Sequence, residues 1–160
     1  MKATIHMLCG LPCSGKSTLA RKIEKERKAV TFSPDEWMAM VFGPDHSDII
    51  GLKYAQNVAS LMYRTYARLI ELDIDIIIDD GFGSRASRNH IRQKATELGV
   101  NQKLYFLSCS EEILLQRLHK RNAELKYGEI YIPEWKFKKI QEFFEPPNED
   151  EEFVLIQETT

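Results

Sequence analysis

Apolar and polar positions follow two rhythms along this chain, one with a period of two and one near 3.6. Residues from about 3 to 9 alternate weakly and are rich in β-formers, which predicts a strand. Residues 16–28 then place Leu19, Ala20 and Ile23 on one side and charges on the other, a helix pattern. A short strand over 30–33 ends at Ser33-Pro34-Asp35, where Ser33 as cap and Pro34 at the first helical position start a helix. Residues 43–48 read as a loop. Apolar residues at 55, 58, 59, 62, 66 and 69 predict a long amphipathic helix from Leu52 to Leu72.

The second half continues the alternation. Residues 74–78 form a nearly continuous apolar run, as a strand covered on both faces requires. A helix follows to about Leu98, then a strand over 103–109, and Ser110 caps the next helix with Glu111 and Glu112 behind it. Residues 127–133 read as a loop, and a helix from Glu134 to Phe144 stops at Pro146 and Pro147. The acidic turn 149–152 reads as solvated, and Phe153 to Ile156 is a last strand. Strands alternating with helices call for a parallel sheet with right-handed crossovers and helices on both faces. The fold class is α/β, in three layers, as a single domain over residues 1–160.

Composition narrows the partners. With 22 basic and 24 acidic side chains the net charge is −2, which gives no electrostatic footprint for nucleic acid or an anionic membrane. A local basic groove stays compatible with it. The three cysteines, Cys9, Cys13 and Cys109, form no CxxC pair, so neither a disulfide framework nor a zinc site is indicated. The polar N-terminus reads as no signal peptide, and no apolar run spans a bilayer. A cytoplasmic location is expected.

The densest chemistry lies at residues 10–18, Gly-Leu-Pro-Cys-Ser-Gly-Lys-Ser-Thr. This matches G-x-x-x-x-G-K-[ST] between a predicted strand and a predicted helix. Gly10 and Gly15 let the chain curl with its N–H groups inward, so that Cys13, Ser14, Gly15 and the helix start form an anion nest. Lys16 reaches β- and γ-phosphates, Ser17 offers a hydroxyl to Mg²⁺, and Thr18 faces the α-phosphate side. Cys13 fills a free motif position. A nucleotide phosphate site is expected, with ATP and Mg²⁺ as the default because no Asn-Lys-x-Asp loop for GTP is present.

Asp35 stands at the carboxyl edge of the sheet, where such folds place ligands. From spacing alone it serves equally well as a base for an acceptor hydroxyl or as an acidic residue favouring a helix N-terminus. The segments Gly10–Thr18, Ser33-Pro34-Asp35-Glu36, Ile76–Phe82 and Arg117–Asn122, in that order, resemble the P-loop kinase group that includes polynucleotide 5′-kinases, zeta toxins and chloramphenicol phosphotransferase. The resemblance covers nearly the whole chain. It implies a P-loop fold with a five-stranded parallel sheet of nucleoside-kinase type, and it implies Asp35 as general base.

The same resemblance makes Asp80 an indirect Mg²⁺ ligand or substrate contact, against the plain alternative that Asp79 and Asp80 mark a strand end. It places Gly81 and Phe82 where relatives carry polar residues, so that a phenyl ring replaces polar readers of the acceptor. Of Arg85, Arg88 and Arg92, Arg88 is the candidate for holding acceptor or phosphate; otherwise the three solvate a helix face. Residues of about 111–133 become a lid in which Arg117 and Arg121, four apart on one face, close over the triphosphate. Lys120 extends that patch, whose alternative is a solvated charged helix. The turn 149–152 would pass near the adenine. His46 and Asp48 sit in a loop on the expected acceptor side, and Trp37, Met38, Met40, Val41 and Phe42 read as core before pocket.

The expected activity is transfer of the γ-phosphoryl group of ATP to a hydroxyl of a small molecule. The alternatives are a nucleic-acid 5′-hydroxyl kinase, and a nucleotide-binding regulatory or toxin-like module with little transfer.

Overall fold

The computed structural model describes residues 2–44 and 48–158; His46 and the side chain of Asp48 lie outside the described residues. The elements in chain order are β1 (Thr4–Cys9), α1 (Lys16–Arg27), β2 (Val30–Phe32), α2 (Pro34–Phe42), α3 (Asp48–Glu71), β3 (Ile76–Gly81), α4 (Arg85–Leu98), β4 (Asn101–Cys109), α5 (Glu111–Ala123), α6 (Glu134–Phe143) and β5 (Val154–Glu158). The strands form one sheet in the order β2-β3-β1-β4-β5, and every pairing is parallel. Among the described residues no helix is long and apolar enough to cross a membrane.

The strand period sorts the core into two layers. Ile5, Met7 and Cys9 of β1 and Ile76 and Ile78 of β3 point to the face covered by Met62, Tyr66 and Ile70 of α3 and Ala95 of α4. The alternate positions Leu8 and Ile77 point to the other face, against Ala20 and Ile23 of α1. Helices on both faces of a parallel sheet complete the three-layer α/β/α arrangement. A third cluster, Leu114, Leu118, Ile132 and Phe137, ties α5 to α6 and reaches Leu11 and Cys13 of the glycine-rich turn.

Three boundaries differ from the sequence pattern. α3 begins at Asp48 rather than Leu52, with Gly51, a weak helix former, in its first turn. β3 begins at Ile76 and runs through Asp79 and Asp80 to Gly81. Residues 72–75 instead close α3: Asp73 takes a left-handed φ of 57°, and the N–H of Ile74 donates to Leu69 O at 3.1 Å. β4 starts at Asn101 because Thr4 of β1 pairs with it.

The turn 149–152 is solvated at Glu149, Asp150 and Glu152, as expected, and the expectation is corrected at Glu151. Glu151 is buried and receives Arg88 through two bonds, Nε to Oε2 at 2.9 Å and Nη2 to Oε1 at 2.7 Å. Arg92 donates to the same carboxylate at 2.6 Å. A carboxylate with this many cationic donors is stable in a dry site where a single acid would not be.

Candidate active site

The loop after β1 carries strict steric demands. A Cβ on Gly10 would lie 2.6 Å from Ser14 Oγ and 2.8 Å from Leu107 O, so only glycine fits. Gly15 caps α1 with a left-handed φ of 99°, and no side chain caps the helix. The first-turn N–H groups of α1 therefore face outward with the positive end of the helix dipole, which is an anion site by construction. Cys13 holds a left-handed φ of 66°, unusual for a residue with a side chain. Ser14 is buried and does not line the cleft, so it contributes through the loop backbone.

Lys16 lies across this loop. Its Nζ donates to Gly10 O at 3.0 Å and Leu11 O at 2.9 Å. Burial lowers its pKa, while the nearby charges of Asp79 and Asp35 act to raise it. Ser17 donates its hydroxyl to Asp79 Oδ2 at 2.9 Å. Burial raises the Asp79 pKa against the opposing pull of Lys16 and the Ser17 bond.

The loop floors a cavity of about 1020 Å³. Asp35 and Glu36 reach it from the first turn of α2, which Ser33 starts by accepting the N–H of Glu36 at 3.3 Å. Asp80 and Gly81 reach it from the end of β3. Asp80 meets solvent on the cleft side, yet protein crowds its carboxylate on the others. That desolvation, with the charges of Asp35 and Asp79, pushes its pKa up to about 7. Arg117, Lys120 and Arg121 of α5 line the opposite wall. Arg117 donates to Cys13 O at 3.3 Å, and Arg121 donates to Ile130 O at 2.9 Å while its buried Nε has no partner. The loop 124–131 crosses the cleft mouth, with Gly128 against Glu36 and Met40 of α2.

The residues present suit Mg²⁺. The donors near Lys16 are the Ser17 hydroxyl and the carboxylates of Asp79 and Asp80, all hard oxygens, crowded enough to raise the pKa of each carboxylate. Among the described residues no three acidic, histidine or cysteine side chains form a metal cage. A sparse donor set completed by phosphate oxygens and water is the arrangement Mg²⁺ favours.

Two candidates from the sequence stand elsewhere. Arg88 is fully buried and does not line the cleft: besides Glu151 it donates to Phe82 O at 3.1 Å and Glu145 O at 2.7 Å. Its role as an acceptor or phosphate contact is thereby corrected, since its guanidinium is buried and turned to Glu151, Phe82 O and Glu145 O. Phe82 is also corrected as a replacement for polar readers. Its left-handed φ of 46° turns the ring into the core beside Cys9, away from the cleft. The turn 149–152 packs on α4 and does not line the cleft. Met38 is buried and Trp37 packs on the core, but Met40 and Val41 are exposed.

A family model described as an AAA domain matches residues 5–147. The chain belongs to this family. Among solved structures, this AAA domain resembles Kti12 of Chaetomium thermophilum in complex with ADP-AlF3, at TM-score 0.73 and 16% identity over 96% of this chain and 88% of that one. It resembles a chain of the Pnkp1/Rnl/Hen1 RNA repair complex at TM-score 0.71 and 21% identity, over 88% of this chain and 43% of that chain. It resembles a gluconokinase of Sinorhizobium meliloti at TM-score 0.63 and 17% identity, over 98% and 82% of the two chains. A search of curated proteins gives no match. The fold of this AAA domain is that of the P-loop kinases.

Asp79 is the site residue that the sequence left unassigned. Its signal was present in the strand period: Ile77 faces α1, so Asp79, two residues on, faces α1 and Ser17 as well. Glu36, Ile132, Ile140 and Phe144 also line the cleft. Ile140 and Phe144 share one side of α6 at a spacing of four, whereas Glu36 and Ile132 come from separate parts of the chain.

Proposed function

We propose that this AAA domain is an ATP- and Mg²⁺-dependent kinase that transfers the γ-phosphoryl group to a hydroxyl of a small molecule. One observation carries the reading: Lys16, the Ser17–Asp79 pair, Asp35, Asp80, Arg117 and Arg121 all open onto one cavity. A nucleotide switch needs the phosphate loop alone; a carboxylate free to act on an acceptor, facing the same space, adds the element that transfer requires. The likeness to structures of kinases and to an ADP-AlF3 complex agrees with it.

The triphosphate docks on the N–H groups at the start of α1, and Lys16 turns from its carbonyl partners to the β- and γ-phosphates. Ser17, with Asp79 behind it and Asp80 beside it, would hold Mg²⁺, whose chemistry is to neutralise phosphate charge. Asp35 accepts the proton of the acceptor hydroxyl as its oxygen bonds to the γ-phosphorus. The bond from γ-phosphorus to the bridging oxygen then breaks, and ADP leaves. Arg117 and Arg121 stabilise the charge carried by the moving phosphoryl group. Positioning and charge supply most of the acceleration.

The experiment is γ-labelled ATP with Mg²⁺ against sugars, nucleosides, aminocyclitols and 5′-hydroxyl oligonucleotides, with Asp35→Asn alongside. Label on one class, falling by about 10²-fold or more in the variant at near-normal ATP affinity, is the expected result. Equal transfer by Asp35→Asn removes it as the base.

A further inference from the structure

A second concavity of about 440 Å³ lies along α6, lined by Gly83, Trp135, Lys136, Lys139, Ile140, Phe143 and Phe144. Gly83, Ile140 and Phe144 also line the main cleft, so the two spaces run into each other. Gly83 follows Asp80 by three residues, which places the junction on the β3 side of the cleft. Trp135, Lys139 and Phe143 recur at intervals of four along one side of α6, while Phe137 turns into the core. Trp135 is 64% exposed and Phe143 is 71% exposed. Two open aromatic rings beside a site of chemistry are costly to leave in water and mark a binding surface.

The occupant follows from size, charge and continuity. A space of a few hundred Å³ matches the size of a small-molecule ring system. Among the described residues, those lining the groove include two lysines and no acid. Beyond the junction the main cleft carries both signs of charge, Lys16, Arg117 and Arg121 together with the carboxylates of Asp35, Glu36 and Asp80. We infer that the groove binds an aromatic ring bearing a negative charge, and that it takes the far end of the phosphoryl acceptor. The acceptor is then polarised. A neutral hydroxyl arm reaches the carboxylates, its ring lies on Trp135 and Phe143, and its anionic group faces Lys136 and Lys139. This substrate class rests on the kinase reading, whereas the groove's affinity for an aromatic anion does not.

The test separates the two by using binding without turnover. The dye 8-anilinonaphthalene-1-sulfonate, an aromatic anion, is titrated into the full chain and displaced with 4-(hydroxymethyl)benzoate, its uncharged amide, or gluconate. The dye brightens, the benzoate displaces it, the amide needs about tenfold more, and gluconate fails. Trp135→Ala and Lys139→Glu each weaken the benzoate by about tenfold and leave ATP affinity unchanged, because neither touches the phosphate loop. Both side chains lie at the surface groove, so the fold is retained. The inference is overturned by dye binding indifferent to Trp135→Ala, by equal displacement with amide and gluconate, or by dye binding lost as sedimentation shows a dimer, which would give the groove to a second copy. Failure of labelled-ATP transfer beside successful displacement overturns the kinase reading alone.

Discussion

Lys16 is held between two influences, a burial that disfavours its charge and the carboxylates of Asp79 and Asp35 that favour it. Its two backbone acceptors keep it in the loop until phosphates compete for it. Lys16→Ala therefore leaves the β/γ charge unpaired, and nucleotide turnover measured by phosphate release should fall to background. Asp80 behaves in the reverse sense. Its folded pKa of about 7 lies above the unfolded value of 3.8, so the folded state holds the extra proton between those values. Its contribution to stability is present below 3.8 and is lost as pH rises through about 7. Asp80→Asn removes the charge: the nucleotide-free variant should melt higher than wild type at pH 8, with the difference vanishing near pH 4. Identical melting curves at pH 8 would show that the crowding of three carboxylates costs nothing. A residue that weakens the empty protein in this way is a common mark of a site built to receive a cation.

At the scale of elements, the candidate site is the meeting of a loop, three strand or helix ends and α5 with the loop behind it. α1 starts without a side-chain cap, whereas Ser33, Ser84 and Ser110 cap α2, α4 and α5. The missing cap is what leaves the N–H groups of α1 to a ligand. Gly10→Ala tests how closely this loop is set, since its Cβ would collide with Ser14 Oγ and Leu107 O. The expected loss is about 1–3 kcal/mol of stability in urea unfolding, with weaker ATP binding, because the loop shifts to relieve the contact. The elements themselves were legible in the chain. Capping serines, Pro34, the 3.6 period and the apolar run of β3 are local, and local interactions are readable from neighbours in sequence. The early start of α3 was not, because Gly51 weakens the helix signal there.

At the scale of the molecule, one buried guanidinium joins parts of the chain far apart in sequence. Arg88 holds Glu151, Phe82 O and Glu145 O together, fastening the end of β3 to the segment that follows α6. Gly81, Gly83 and Phe144, next in the chain to Phe82 and Glu145, line the cleft, so Arg88 braces the residues beside its wall. The Arg88 bonds hold the Glu151 pKa at about 2, below its ordinary value of 4.5. A depressed carboxylate pKa contributes stability above 4.5 that is lost as pH falls through about 2. Glu151→Gln should lower stability at pH 7 by about 3 kcal/mol or more, since it leaves Arg88 buried and unpaired, and it should flatten the acid limb of the urea midpoint between pH 4.5 and 2. An unchanged acid limb would place the acid sensitivity elsewhere. His6 adds to acid loss at higher pH. Burial lowers its pKa below 6.5 despite Asp75, so its contribution is present above 6.5 and is lost as pH falls below it.

By itself the sequence determined the order of elements, the α/β class, the phosphate loop and the candidacy of Asp35, because each rests on residues adjacent or one turn apart. The strand period puts Ile77 and Asp79 on one face, but the pairing of Asp79 with Ser17 came with the tertiary structure. Only the tertiary structure decided that Arg88 is a buried tie, that Phe82 turns to the core, that Glu151 is no surface acid and that an aromatic groove continues the cleft. The Arg88 tie depends on residues some sixty positions apart meeting in space. A charged side chain looks the same in sequence whether water or a buried partner will neutralise it. Burial, which sets that difference, is a property of the packed whole.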